Sequence, residues 1–322
     1  MFAVCSLLFS NTFKKRNILQ EIRRRIAVDF TNYLCYDQVV EYLNQLSDEN
    51  SCELIVLGRS EEGREILGAR IGSSDAKAAV IESGIHAREW IAPITALYII
   101  SQISKDPEMV DNVQWIIIPI LNPDGYHYSW LDIKNRSWRK NRSKSEDSHC
   151  IGVDINRNFG FQWGGEFSCT DHCNEDYRGE EAWSEPESRS IKYLIRQLGP
   201  SCALYLSLHN FLQSIMYPWG YSKQPPEDAI DLIHLATEAQ TAIRNKYGTR
   251  YRIGQSSYID RLTPGCSIDW AKAEGKIKYC YSIELPGPTY RFEVPPNHIV
   301  KIASECYEAI KVFRQSMSYG KI

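Results

Sequence analysis

The chain has 322 residues and a formal net charge of −3, with 37 Lys and Arg against 40 Asp and Glu. Hydrophobic residues at 43% and charged residues at 24% are ordinary globular values, which excludes a disordered or fibrous chain. The near-neutral balance gives no global pull toward nucleic acid or an anionic membrane, and no apolar run reaches the roughly 20 residues of a spanning helix.

The first ten residues, MFAVCSLLFS, are apolar, but Lys14, Lys15 and Arg16 follow them rather than precede them, the reverse of an ordinary signal peptide. Residues 17–26 have helical character and end in Arg23-Arg24-Arg25, which suits cleavage by a trypsin-like protease or a solvated helical face. From Ala27 onward the pattern is one continuous α/β domain. The spacing of Val39, Val40, Leu43 and Leu46 predicts a helix over 36–49. Strands are expected at 53–57 and 64–71 around Glu62-Gly63, and a buried strand at 78–83. A helix over 91–104 and a β-branched strand over 113–121 follow, the strand ended by a turn at Asn122-Pro123-Asp124-Gly125. Residues 126–180 are polar and Gly-rich, too long for a passive connection. Beyond them come a helix over 184–198 capped by Ser184, a buried strand at 203–208, a helix over 228–247, a strand at 278–285 and a closing helix over 296–314. Alternating strands and helices with no linker predict a sheet sandwiched between helices.

Ten scattered cysteines, none in a CxxC pair, fit a secreted protein with disulfides; buried free thiols are the alternative. Two histidines and two carboxylates stand out. His86 and Glu89 leave a strand through Gly84, and a three-residue offset lets a turn bring imidazole and carboxylate to one ion, although HxxE alone is a weak signal. His209 follows the strand at 203–208, and Glu284 closes the strand that begins at 278. Ligands collect outside the carboxyl ends of strands in open α/β sheets, so three such groups at equivalent ends carry more weight than one. Glu284 suits a general base or, equally, an acceptor of backbone N–H groups in the following turn. Six cations between Lys134 and Lys144 form either a polyanion patch or a source of one arginine for an oxyanion; Asn156-Arg157 is a second anion-binding candidate.

Together these residues resemble the zinc metallocarboxypeptidases of the pancreatic A/B type. The matching words, in order, are GIHAREW (84–90), LNPDGY (121–126), NRSWRKNRS (135–143), GVDINRNF (152–159), SLHNF (207–211), YPWGY (217–221), SIDW (267–270) and IEL (283–285). The resemblance runs from about residue 28 to the C-terminus. It implies an α/β fold: a single domain over 28–322 whose mixed, mostly eight-stranded twisted sheet is flanked by helices on both faces. It also implies one Zn²⁺ per chain, held by His86, Glu89 and His209, a ligand set already known for carboxypeptidase A.

By the same resemblance, Glu284 is the base, Arg139 the oxyanion donor, and Asn156 and Arg157 the grip on a free C-terminal carboxylate. Arg88 contacts the peptide further up, Asp154 orients His86, and Cys150 pairs with Cys173. Ile268 at the base of the side-chain pocket, with Met216, Gly220 and Ser282 around it, implies release of aliphatic or aromatic C-terminal residues. The expected substrates are peptide and protein C-termini, and the expected protein is a secreted monomer without nucleic-acid or membrane partners. The N-terminal segment, 1–27, is expected to hold a signal remnant, and residues 11–29 resemble only the last helix and activation site of the family's inhibitory prodomain, which implies an activating trypsin-like protease. The family's mobile tyrosine falls at Arg261, so Tyr258 or Arg261 is expected to take its place. That departure motivates an alternative, a catalytically weak protein that binds peptide C-termini on the same scaffold. Asn135 and Asn141 head glycosylation sequons.

Overall fold

A computed structural model describes residues 28–146, 148–287 and 289–318. The readings of residues 1–27 lie outside the described residues. In chain order the elements are α1 (Tyr36–Asp48), β1 (Glu53–Arg59), β2 (Glu65–Ile71), β3 (Lys77–Ser83), α2 (Ile91–Ile103), α3 (Pro107–Val110), β4 (Val113–Ile118), α4 (Pro123–Leu131), α5 (Pro186–Leu198), β5 (Cys202–Tyr217), α6 (Ala229–Tyr247), β6 (Arg252–Gln255), α7 (Ser256–Ile259), α8 (Ser267–Ala273), β7 (Tyr279–Pro286) and α9 (Ile299–Ser318).

The sheet is mixed. β3 lies between β4 and β5 and is parallel to both, whereas β1–β2 and β2–β4 are antiparallel. The central strands β3 and β4 are buried on both faces, which is why they read as unbroken apolar runs rather than as alternating patterns. One face is covered by α1, α2, α6 and α9, and the other by α5, α8 and the 155–159 segment, each with its own apolar core. α2 is buried nearly all round because it is packed between the sheet and α9, so its sequence lacks a polar stripe.

Seven strands are present among the described residues, where eight were expected. The difference lies in β5, a single element of 16 residues. Its register with β7 rises from Leu204 opposite Tyr279 to Asn210 opposite Leu285, then falls from Ser214 opposite Glu284 to Met216 opposite Ser282. β5 therefore doubles back around the end of β7, with Gln213 at φ +50° at the reversal, and its second stretch pairs with β6. The sequence reading stopped at Leu208 because polar residues then break the apolar run. Pairing on both sides, not burial alone, carries the strand on.

Two local readings are corrected. The turn expected at Asn122–Gly125 is the start of α4: the Asn122 side chain accepts the Gly125 N–H at 2.9 Å and Pro123 sits in the first turn, where its missing N–H costs nothing. α5 is preceded by Glu185 at its N-cap rather than by Ser184, whose hydroxyl donates to the Glu185 carboxylate at 2.6 Å. Of the polar, Gly-rich stretch read at 126–180, residues 126–131 belong to α4; beyond them, the described residues to 185 hold two single-turn 3₁₀ segments and an isolated β-bridge between Cys169 and Tyr177. Cys150 and Cys173 form a disulfide with Cα atoms 5.1 Å apart. Cys52, Cys169, Cys202, Cys266, Cys280 and Cys306 are free thiols, five of them buried, so these cysteines mostly serve core packing. No helix among the described residues is long and apolar enough to cross a membrane.

Candidate active site

The strand ends converge as the sequence suggested. β3 stops at Ser83, and Gly84 turns the chain out at φ +63°, where a Cβ would meet the Pro119 carbonyl at 3.0 Å. His86 follows in the resulting turn, and Glu89 stands just before α2. Parallel pairing sets His209 of β5 directly opposite Glu284 of β7. His86, Glu89 and His209 are buried, with one donor atom from each lying within 4.8 Å of the other two.

This cluster has the form a divalent cation requires. The Nδ1 atoms of both imidazoles face Glu89, His86 at 2.8 Å from Oε1 and His209 at 3.1 Å from Oε2. The outward nitrogens are engaged elsewhere: His86 Nε2 lies 3.2 Å from Asp154 Oδ1 and His209 Nε2 2.8 Å from Ser207 Oγ. Outer partners of this kind leave the inward lone pairs for a metal. The Ser207 hydroxyl itself donates to Glu82, a fully buried acid that also accepts from Ser267 at 3.2 Å. Sequence reasoning missed Glu82, although an acid inside the apolar 78–83 run was its visible signal. Burial pushes the Glu82 carboxyl up, with His209 and the serine hydroxyls opposing.

The charges fit the same picture. Burial would raise the Glu89 carboxyl, but His86 and His209 hold it well below the ordinary carboxylate range. Burial would lower the His209 imidazole, yet Glu89 raises it to about 9. Coordination needs the neutral imidazole, so a bound cation would take the place of the second ring proton. Glu284 is pushed up to about 7 chiefly by burial, with His209 opposing and Glu89 adding to the rise. Its Oε2 accepts the Leu212 N–H at 3.2 Å. Another His/Cys group, His149 with Cys150 and Cys173, has its two sulfurs in the disulfide and is no metal site.

A guanidinium wall lines the same cavity, of about 190 Å³. Arg139 binds Asp154 Oδ2 through Nε at 3.0 Å and Nη2 at 2.7 Å. Burial would raise the Asp154 carboxyl, but Arg139, then Arg157 and His86, hold it well below its usual range. Asn156 accepts the Ser267 N–H at 2.9 Å through Oδ1, which turns its amide nitrogen away from that contact. Arg88 is held by Glu175 at 2.9 Å and lies 4.3 Å over the Phe292 ring. Asp176, the next residue, reaches Arg157 at 3.3 Å and Arg261 at 2.7 Å. The two acids were missed from sequence; their proximity to Cys173 was the available signal.

Most of the basic stretch is structural rather than a polyanion patch. Arg136 donates to the Arg88 and Phe292 carbonyls, Lys140 to the His172 carbonyl at 2.6 Å, and Arg142 stacks 3.7 Å over Tyr128. Ile268, Met216 and Ser282 line the cavity, whereas Gly220 does not. Gly220 instead donates its N–H to Asp269 at 2.9 Å. Arg261 also lines the cavity, but Tyr258 is 64% exposed and lines a neighbouring pocket. Tyr258 is two residues beyond Ser256 in α7, roughly 200° round the helix from a side chain that faces the cavity. That phase places Tyr258 away from the position expected of a substrate contact.

Buried His and Glu donors at the carboxyl edge of a mixed sheet, opposite a carboxylate and beside arginines, define a metallohydrolase. The Peptidase_M14 family, zinc carboxypeptidases, matches residues 39–309. A carboxypeptidase B of Astacus astacus is 37% identical over 295 residues, covering 88% of this chain and 97% of its own. Zinc carboxypeptidase A 1 of Anopheles gambiae is 32% identical over 321 residues, covering 95% of this chain and 73% of its own. Among solved structures, bovine thrombin-activatable fibrinolysis inhibitor in complex with tick carboxypeptidase inhibitor superposes with a TM-score of 0.87 at 31% identity, covering 91% of this chain and 99% of that one. Carboxypeptidase A of Helicoverpa armigera gives 0.86 at 29% identity, covering 97% and 82%. The chain belongs to the zinc carboxypeptidase family. It is a peptidase that uses zinc and acts on peptide C-termini.

Proposed function

We propose that the protein releases aliphatic or aromatic C-terminal residues, with Glu284 as the proton-transferring base. The observation that carries this reading is Glu284 paired opposite His209, so that one carboxylate faces the three-donor cluster across a single small cavity. Relatives of both A and B names match the chain, so the preference rests on Ile268, whose apolar side chain sits where a cationic residue would want an acid.

His86, Glu89 and His209 would hold zinc, which supplies a Lewis acid for the scissile carbonyl and acidifies a water. Glu284 takes a proton from the attacking water and passes it to the leaving amine; an affinity raised toward neutrality suits both transfers. Arg139, anchored through Nε and Nη2 on Asp154, has Nη1 left to donate to the carbonyl oxygen as charge develops. Asn156 and Arg157 hold the free terminal carboxylate, which restricts cutting to chain ends, and Arg88 contacts the peptide further up. Asp154 keeps the His86 ring in the tautomer that faces the metal. Residues 28–322 form the catalytic domain in this reading. The remaining parts of the reading are a secreted monomer and activation by a trypsin-like protease near Arg23-Arg24-Arg25.

The test is metal content together with release of C-terminal Phe or Leu from a blocked dipeptide. Zinc-loaded protein should release both and lose the activity to a chelator. Glu284→Gln should retain zinc and lose roughly 10²–10⁴-fold in kcat. Loss of zinc from that variant would make Glu284 a ligand instead of a base, and release of only Lys or Arg would overturn the apolar preference.

A further inference from the structure

We propose that Arg261, positioned by Asp176, is a second guanidinium for the substrate's terminal carboxylate beside Arg157. The inference rests on the reading that Arg157 binds that carboxylate. Asp176 is a hub: its Oδ1 lies 3.3 Å from Arg157 Nη2 and 3.7 Å from Arg139 Nη2, and Arg261 Nη2 reaches Oδ1 at 2.8 Å and Oδ2 at 2.7 Å. Arg157 and Arg261 line both the main cavity and a neighbouring one of about 580 Å³, whereas Asp176 lines only the neighbour. Arg157 and Arg261, together with Asp260, therefore stand between the two cavities, and Asp176 holds the two guanidinia from behind.

The donor inventory fits a carboxylate guest. Arg261 spends only Nη2 on Asp176; its Nε and Nη1 make no hydrogen bond to the described residues. Arg157 uses Nη1 on the Asn156 carbonyl at 2.8 Å and Nη2 on Asp176. Arg139, Arg157 and Arg261 share two carboxylates within ion-pair distance, Asp154 and Asp176, so their guanidinia are held together rather than each neutralised by an acid of its own. The side chain of Arg261 is 59% exposed, so its ion pair is worth little to the fold. What Asp176 provides is restraint: a long side chain held against the cavity wall loses less freedom when it binds a ligand.

Equilibrium binding of L-phenylalanine and of L-phenylalaninamide to zinc-loaded protein separates a carboxylate contact from any general change. Arg261→Gln should weaken phenylalanine binding about tenfold while the amide is affected far less, as expected on losing a charge-assisted pair. Asp176→Asn should weaken phenylalanine binding by roughly two- to fivefold, and by less once Arg261 is already Gln, the remainder acting through Arg157. Unchanged phenylalanine affinity in Arg261→Gln, alongside weakened affinity in Arg157→Gln, would overturn this proposal and leave the reading of Arg157 standing. Unchanged affinity in Arg157→Gln would overturn that reading as well. Tighter binding in Asp176→Asn would make Asp176 a competitor of the ligand and end its positioning role.

Discussion

Glu187 carries a cost that Asp154 avoids. Both carboxyls are fully enclosed, but Asp154 faces arginines while Glu187 faces Glu185, so burial first and Glu185 next push Glu187 up to about 8. Asn141, wedged between the two glutamates at 2.5 and 3.2 Å, offers them only amide hydrogens. A carboxyl raised above its unfolded value binds its proton more tightly when folded. Its contribution is fully present below the ordinary value near 4.5 and is lost as pH rises through about 8. Denaturant unfolding should therefore show falling stability between pH 5 and pH 9, with a shallower fall in Glu187→Gln. Equal slopes in the two proteins would mean that Glu187 ionises freely. The same burial bears on the sequons: Asn141 is fully buried and its carboxamide is hydrogen-bonded, so only Asn135 remains accessible enough to carry a glycan in the native fold.

Residues 132–185 have little regular structure, yet they supply Arg139 and Arg157, half of the guanidinium wall, so something must hold them. Asn158 does much of that. Its amide nitrogen contacts the Arg178 and Glu181 carbonyls at 3.0 Å each and Ser184 Oγ at 2.8 Å, and its oxygen accepts from Glu185 N at 3.1 Å and Ser188 Oγ at 2.7 Å. The fully buried Asn158 thus ties the loop to the first turn of α5. Asn158→Ala would leave several buried groups unpaired and should cost about 3 kcal/mol, read as a lower midpoint in chemical denaturation. A loss below about 0.5 kcal/mol, the scale of an ordinary surface change, would show that the Cys150–Cys173 disulfide and packing hold the loop without it. The motif GVDINRNF placed Asn158 beside Asn156 and Arg157, but nothing in that word says that its side chain spans to residues 178–188.

For the molecule as a whole, the donors join parts that are far apart in the chain. His86 and Glu89 bridge β3 and α2, and His209 belongs to β5, so a bound ion cross-links three elements of the central sheet layer. Zinc that binds only the folded state should stabilise it by about 4 kcal/mol at a thousandfold excess over its Kd. Calorimetry before and after chelation should show a clearly lower Tm for the stripped protein; identical transitions would mean that these donors hold no ion. Helices, buried strands, the strand-end histidines and the family words were readable because each is written in contiguous residues, where periodicity and ligand type act over a few positions. What lay beyond reach was set by register and phase between distant segments. Pairing of β5 with β7, some seventy-five residues apart, decides that His209 meets Glu284. Helical phase in α7 turns Tyr258 away while Ser256 faces the cavity. Asp176 meets Arg157 and Arg261 only because a disulfide-bearing loop folds back over the strand ends. Such contacts arise from the chain's path through space, and a one-dimensional pattern holds no measure of that path.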